Sequence, residues 1–370
     1  MKARLIFVKG ANIVRKGNKI LTWTVIILAL AFSCPAFASW ENLGLHDIRV
    51  WTVSLCEGRL YAGTEDGIYW LDLTGPEAYW TPIGLQGQTV RALLILSVDT
   101  ILAGLTSGET SIYRTTDGGE NWEPFQNGYG GGEFHPVYAF DRMPGQSDTI
   151  FATGNAVVAR SIDGGLSWQE VWGGWEWMAM GVVFVRVDPN FDSVVWAGGE
   201  AAIFAPWLLK STDGGESWDF LDIYGGGDNR CHDIAVYPGN SERAWVSMEG
   251  RVRVTNDGGE SWSDVLVNEY YLYGIEIDSL RPSLLYVSAA QHARPLTLFT
   301  SRDMGFTWSE IHDSTFEVNG ALDILLLSHP DRNEIYFATT SGVFCILTVL
   351  TIFAGMPTAA GPSISWMPPV

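Results

Sequence analysis

Seven stretches of the chain alternate apolar and polar positions and run into a step of mostly small residues: Ile48 to Gly63, Val90 to Gly104, Val137 to Gly154, Val182 to Gly199, Ile234 to Met248, Ile275 to Ala289 and Leu322 to Thr340. A period of two is the mark of a strand with one buried face. Each stretch breaks near its middle, as at Asp188-Pro189, Tyr237-Pro238 and His329-Pro330, and so predicts two strands joined by a short turn. Tryptophan keeps the same rhythm: Trp40, Trp80, Trp122, Trp168, Trp218, Trp262 and Trp308 recur at steps of 40, 42, 46, 50, 44 and 46 residues. A period in the forties with four short strands per unit predicts radial blades, and seven units predict an all-β, seven-bladed β-propeller. The chain enters at Trp40 on the last strand of a unit and leaves near Cys345 on the third. The N-terminal strand is therefore expected to close the last blade and remove an open edge.

Between the third and fourth strands a turn motif repeats: Arg114-Thr-Thr-Asp117-Gly-Gly-Glu-Asn-Trp122, Arg160-Ser-Ile-Asp163-Gly-Gly-Leu-Ser-Trp168, Lys210-Ser-Thr-Asp213-Gly-Gly-Glu-Ser-Trp218, Val254-Thr-Asn-Asp257-Gly-Gly-Glu-Ser-Trp262 and Thr300-Ser-Arg-Asp303-Met-Gly-Phe-Thr-Trp308. The carboxylate of such a turn can accept from backbone N–H groups just ahead of it, and the glycines allow positive φ. Calcium binding or catalysis at these aspartates is the competing reading, but no D-x-D-x-D-G loop accompanies them. At these residues the chain resembles the Asp-box propellers, which include the photosystem II assembly and stability factor family, the sortilin luminal domain, the sialidases and the xyloglucanase-type glycoside hydrolases. By size and unit number it is most similar to the photosystem assembly factor type, and that resemblance implies an exported protein that binds other proteins. Sortilin resemblance would imply ten blades and a cysteine-rich module, and neither is expected.

Charge is unevenly distributed. The chain holds 22 basic and 42 acidic residues, yet Lys2, Arg4, Lys9, Arg15, Lys16 and Lys19 precede any acid. With the apolar run Ile20 to Phe32 and Ala36-Phe37-Ala38 they predict a cleavable signal peptide over residues 1–38. Removing those six leaves 16 basic against 42 acidic residues, a net charge of −26. Nucleic acid is excluded as a partner, because phosphate neutralisation supplies most non-specific affinity. Membrane contact is expected only through an uncleaved signal or an apolar tail. Cys56, Cys231 and Cys345 form no framework of pairs. The propeller is expected over residues 39–346, followed by an apolar, proline-containing tail over 347–370. A secreted, periplasmic or cell-surface monomer, bacterial in origin, is the expected setting; no N-x-S/T sequon occurs.

No Walker, GxSxG, HExxH or GxGxxG motif is present, and the six histidines show no ligand spacing, so no metal or cofactor is expected. Binding is expected in the loops that run from one blade to the next at one mouth of the channel. The candidates there are Arg49, Arg91, Tyr129, His135, Trp175, Trp177, Arg230, His232, Tyr271 and Tyr273, and the expected ligand is a protein or a carbohydrate. Arg49 and Arg91 hold equivalent places in two units. Sialidase resemblance would imply an Arg-Ile-Pro motif, which this chain lacks, and a xyloglucanase would need two propellers. The enzymatic alternative is a glycosidase with Glu176 and Asp228 as its carboxylate pair.

Overall fold

The computed structural model describes residues 39–75, 79–174, 180–201, 206–221, 223, 230–290, 295–318 and 320–349. Strand β1 (Ser39–Gly44) is followed by a four-stranded sheet of β2 (Val50–Cys56), β3 (Arg59–Thr64), β4 (Gly67–Asp72) and β5 (Thr81–Gly84). The second sheet holds β6 (Val90–Ile95), β7 (Ile101–Leu105), β8 (Ile112–Thr115) and β9 (Glu123–Pro124). The third holds β10 (Ala139–Arg142), β11 (Ile150–Gly154), β12 (Val157–Ser161) and β13 (Gln169–Gly173). The fourth holds β14 (Met180–Val187), β15 (Val195–Ala201), β16 (Pro206–Ser211) and β17 (Asp219–Leu221). A six-stranded sheet follows, of β18 (Cys231–Val236), β19 (Ala244–Thr255), β20 (Ser263–Ile277), β21 (Leu285–Ala290), β22 (Pro295–Ser301) and β23 (Ser309–Glu317). The last sheet contains β24 (Ala321–Ser328), β25 (Arg332–Thr339) and β26 (Gly342–Val349), with β1 added at its edge.

Six blades therefore stand among the described residues where seven were expected, and the all-β class holds. The expected fifth and sixth units are merged. Strand β20 is unbroken for 15 residues, and Tyr271 within it pairs with Glu249 of β19 on one side and Ala290 of β21 on the other. Where other units carry glycine-rich turns, this segment reads Glu269-Tyr270-Tyr271-Leu272-Tyr273, an aromatic run that continues a strand. The closing strand is present: Trp40 of β1 pairs with Ile346 of β26, and its ring lies 5.3 Å from that of Phe337. Strand β26 runs past the expected end at Ile346 to Val349, paired with Arg332.

The turn motif works as a self-contained clamp. In the fourth sheet Ser211 Oγ donates to Asp213 Oδ1 at 2.8 Å, Ser217 N donates to the same oxygen at 2.9 Å, and Ser217 Oγ donates to Oδ2 at 2.6 Å. Asp117, Asp163, Asp257 and Asp303 repeat this arrangement. Donors from Asn121, Ser217 and Ser261 hold the carboxyls of Asp117, Asp213 and Asp257 down at about 2. The tryptophans join one sheet to another where the indole N–H reaches back: Trp80 Nε1 donates to Leu43 O at 2.8 Å, Trp122 Nε1 to Ile83 O at 2.8 Å and Trp168 Nε1 to Phe125 O at 3.1 Å. Trp262 and Trp308 instead bond their own turns, at Gly259 O and Gly305 O. The Trp218 indole ring packs edge-on to Phe151.

A second regularity places the candidate site residues. The register slips at one end of most channel-lining strands, between Val50 and Thr52, Val90 and Ala92, Val182 and Phe184, Cys231 and Asp233, Leu272 and Ile275, and Ala321 and Asp323. Such a bulge leaves its extra residue free to aim out of the ladder. Most of the small residues that end the alternating stretches lie opposite these bulges, and Gly154 lies just past the regular β10–β11 ladder. A Cβ at Gly199 would stand 1.9 Å from Gly181 O, and one at Gly154 would stand 2.3 Å from Pro136 O.

Two outcomes are expected. Gly199→Ala should destabilise the protein by about 1–3 kcal/mol in urea unfolding, the usual range for overpacking, while Gly174→Ala, with open space around its Cβ, should leave the midpoint unchanged. Because the folded pKa of Asp213 is depressed from 3.8 to about 2, its ionised form stabilises the fold above the unfolded value, and that contribution disappears as pH falls through the folded one. Asp213→Asn should therefore melt lower than the parent at pH 7, and the gap should close towards pH 2.

Candidate functional site

The bulges and the residue before β10 aim Trp51, Arg91, Tyr138, His232 and Tyr273 at one mouth of a channel cavity of about 490 Å3. On one side the side chains form a ladder. Arg49 lies over the Trp51 ring at 5.1 Å, Arg91 lies 5.3 Å from the same ring, and the other flank of Arg91 meets Tyr138 at 4.2 Å. Cations held over aromatic faces in this way are attracted by the ring quadrupole and lose freedom of orientation. Tyr138 is fixed in turn by its hydroxyl, which donates to Asn155 Oδ1 at 2.6 Å.

Across the mouth Arg230 pairs closely with Glu200 and lies 3.7 Å from Glu249. His232 stands 3.9 Å from Glu249, and its ring lies 4.8 Å from that of Tyr273 at a tilt of 48°. Burial, with Arg230 and Arg91 nearby, pushes the His232 imidazolium down to about 3, so this histidine is neutral at ordinary pH. Burial likewise raises the Tyr273 phenol to about 12. The result is a wall that offers neutral aromatic surface beside a compensated arginine.

Below the mouth the channel is acidic. Asp141, Asp233, Glu276 and Asp323 come from β10, β18, β20 and β24 and surround Arg186 of β14. Arg186 donates to Asp233 Oδ2 at 3.0 Å, and the attraction of Asp233 keeps the guanidinium firmly protonated. Three of the carboxylates also tie channel-lining strands together. Val187 N donates to Asp141 Oδ2 at 2.7 Å, Ile275 N to Asp233 Oδ2 at 3.4 Å, and Val53 N and Thr52 Oγ1 to Asp323 Oδ2 at 3.1 and 2.8 Å. Asp323 thus links the last sheet to the first from inside the ring. One cation cannot neutralise four carboxylates, so burial raises Glu276 to about 8 and Asp323 to about 6.

The sequence-predicted residues divide. Arg49, Arg91, Arg230, His232 and Tyr273 meet at the mouth. Tyr271 lies on β20 with 45% of its surface exposed. His135 is buried at 8% exposure and lines a neighbouring cavity. Tyr129 belongs to the core: it is fully buried, packs edge-on to Trp168, and its hydroxyl donates to Pro136 O at 3.0 Å. Trp175, Trp177, Glu176 and Asp228 lie outside the described residues. Trp51, Tyr138 and Glu200 were missed, as was the acidic group around Arg186. Their signal was polar or bulky residues at equivalent places in the alternating stretches, where a simple period of two shows only which face they occupy. Among the described residues no group of His, Cys, Asp and Glu has the arrangement of a metal site, and no helix is long and apolar enough to cross a membrane.

Comparison with known proteins places this geometry on a familiar architecture. No family model matches the chain, and no curated protein does. Among solved structures it is similar to YCF48 bound to D1 peptide, with a TM-score of 0.63 and 14% identity over 86% of this chain and 97% of that one. It is also similar to the GH74 xyloglucanase from Xanthomonas campestris, with a TM-score of 0.63 and 16% identity over 83% of this chain, although it spans only 53% of that enzyme. The extracellular domain of a hybrid two-component system from B. thetaiotaomicron gives a TM-score of 0.59 and 11% identity over 84% of this chain and 40% of that one. Likeness at these identities shows a β-propeller fold.

Glu276 supplies the pH test. Its folded pKa is raised from 4.5 to about 8, so the folded state retains a proton that the unfolded chain releases, and stability falls as pH rises through that window. Glu276→Gln should match the parent near pH 4 and melt higher at pH 8 to 9, by roughly 2–4 °C for each kcal/mol relieved. A higher melting temperature at pH 4 but not at pH 9 would contradict the sign.

Proposed function

We propose that this chain is an exported, non-enzymatic Asp-box propeller that recognises a partner protein through the channel mouth. The observation that carries the reading is the mouth itself. A compensated arginine between two glutamates, a neutral, tilted His232–Tyr273 ring pair and the Arg91 ladder converge on one cavity of about 490 Å3. Fixed aromatic surface with a few oriented polar groups is how proteins hold peptide segments, and tyrosine and arginine are enriched among residues that dominate such interfaces. The likeness to YCF48 bound to D1 peptide supports a protein partner. The basic leader and likeness to an extracellular domain support export.

A glycoside hydrolase is the second reading, favoured by likeness to the xyloglucanase. It needs Glu176 and Asp228 as an acid and base pair at the same mouth.

The test is affinity capture from cell-envelope extract with tagged mature protein, followed by titration of the captured partner. Tyr273→Ala and Arg230→Ala should each weaken binding by about tenfold or more, as loss of a dominant interface residue does, with the melting transition retained. Unchanged affinity in both variants, and in a Trp175→Ala, Trp177→Ala double variant, would overturn the proposal. Hydrolysis of a glycoside by the parent that is lost in Glu176→Gln would establish the second reading instead.

A further inference from the structure

A second cavity of about 410 Å3 lies beside the channel, and Trp51, Arg91 and Tyr138 form part of both linings. Its remaining walls bring Phe134 and Pro136 together with a few polar groups, among them Thr106 and Asn155. That volume and that balance, mostly apolar with a few fixed polar atoms, suit a compact organic group.

Arg91 gives the cavity its charge preference. Its guanidinium is held between the Trp51 and Tyr138 rings at 5.3 and 4.2 Å, so its N–H edge, rather than its faces, is left to bind. Among the described residues no carboxylate lies within ion-pair distance of it. Burial pulls the Arg91 pKa down, and the attraction of Tyr138 and Glu200 offsets only part of that. An arginine edge matches a planar carboxylate in a bidentate pair. Asn155 adds a second fixed donor: its Oδ1 already accepts the Tyr138 proton, which leaves the amide N–H groups for a ligand. Arg91 is the one permanent cation among the described lining residues, with His135 as the other nitrogen base there.

We propose that this side cavity binds an aromatic ring carrying a carboxylate, with the ring against Trp51, Phe134 and Pro136 and the carboxylate on the Arg91 edge. Two sources share that chemistry: a free aromatic acid and the terminal residue of a peptide ending in phenylalanine, tyrosine or tryptophan. The assignment goes beyond the reading of the channel mouth, since a ligand in the side cavity needs no partner protein in the channel.

Calorimetric titration of the mature protein with phenylacetate should show saturable binding, and phenylacetamide should bind about tenfold more weakly or less, as expected when a charge-assisted bidentate pair is lost. Arg91→Lys keeps the charge but loses the planar fork; it should reduce the preference for acid over amide, and Arg91→Gln should abolish it. Thr106→Phe, which fills the cavity from the opposite wall, should remove binding of both compounds while the melting transition persists. A pentapeptide ending in phenylalanine, compared with its C-terminal amide, separates the two sources: discrimination between them assigns the peptide, and binding of phenylacetate alone assigns the free acid. Absence of saturable binding by phenylacetate and by the free-acid peptide, equal affinity for acid and amide in the parent, or phenylacetate binding unchanged in Thr106→Phe would overturn the proposal. Partner capture at the channel mouth is scored separately, so failure here leaves that reading standing.

Discussion

Everything at the mouth depends on one steric constraint, the close backbone approach opposite the bulges of the channel-lining strands. Gly199, opposite the bulge between Val182 and Phe184, faces Gly181 O at a distance that no side chain could share. At the equivalent bulges Gly63, Gly104, Ser247 and Ala289 stand opposite, and the extra residue leaves the ladder as Trp51, Arg91, His232 or Tyr273 at the rim. A regular antiparallel ladder would send alternate side chains into the sheet interfaces and the channel wall. The candidate surface is therefore a product of a backbone defect repeated around the ring, opposite small residues rather than set by the residues it displays.

Charge in the channel works against stability and for closure at the same time. Asp323 reaches Thr52 and Val53, and so adds a contact between the ends of the ring to the ladder between β1 and β26. The same carboxylate shares a low-dielectric space with Asp141, Asp233 and Glu276, and Arg186 offsets only part of the repulsion. Carboxylates that accept backbone N–H groups can stay ionised, because hydrogen bonds favour the charged form. Glu276 has no such bond among the described residues and is pushed up to about 8, whereas in Asp141 and Asp323 backbone N–H donors oppose the same effect of burial.

The architecture was readable because its rules are local and repeated. The turn aspartates and following serines form the bonds that their spacing requires, and Trp80, Trp122 and Trp168 reach the preceding outer strands. The unit count was misread because the boundary between two units depends on whether Glu269 to Tyr273 turns or continues, and aromatic strand formers in a predicted loop decide that in favour of pairing. At the site, Arg91, His232 and Tyr273 were legible as unusual residues near unit ends. Tyr129 was placed with them wrongly, because a glycine-rich loop can fold its one large side chain back into the core, where Trp168 receives it. The acidic group around Arg186 was invisible: each member sits alone in its own strand, and only ring closure brings them together.

The merged sheet gives the mouth two unlike sides. Along β19 and β20 Glu249, Tyr271 and Ala290 are locked in register, and Tyr273, which leaves that ladder two residues on, tilts against His232 of β18. Opposite, Arg91 of β6 lies 4.2 Å from the ring of Tyr138 in the next unit; the Tyr138–Asn155 bond stays within that unit, and Val137 N, donating to Leu105 O at 2.8 Å, ties the two units together. The second cavity opens on the side of the Arg91 ladder. A ligand there would touch two units at once, Arg91 on one and Tyr138 on the next, and so would bear on the seam between them.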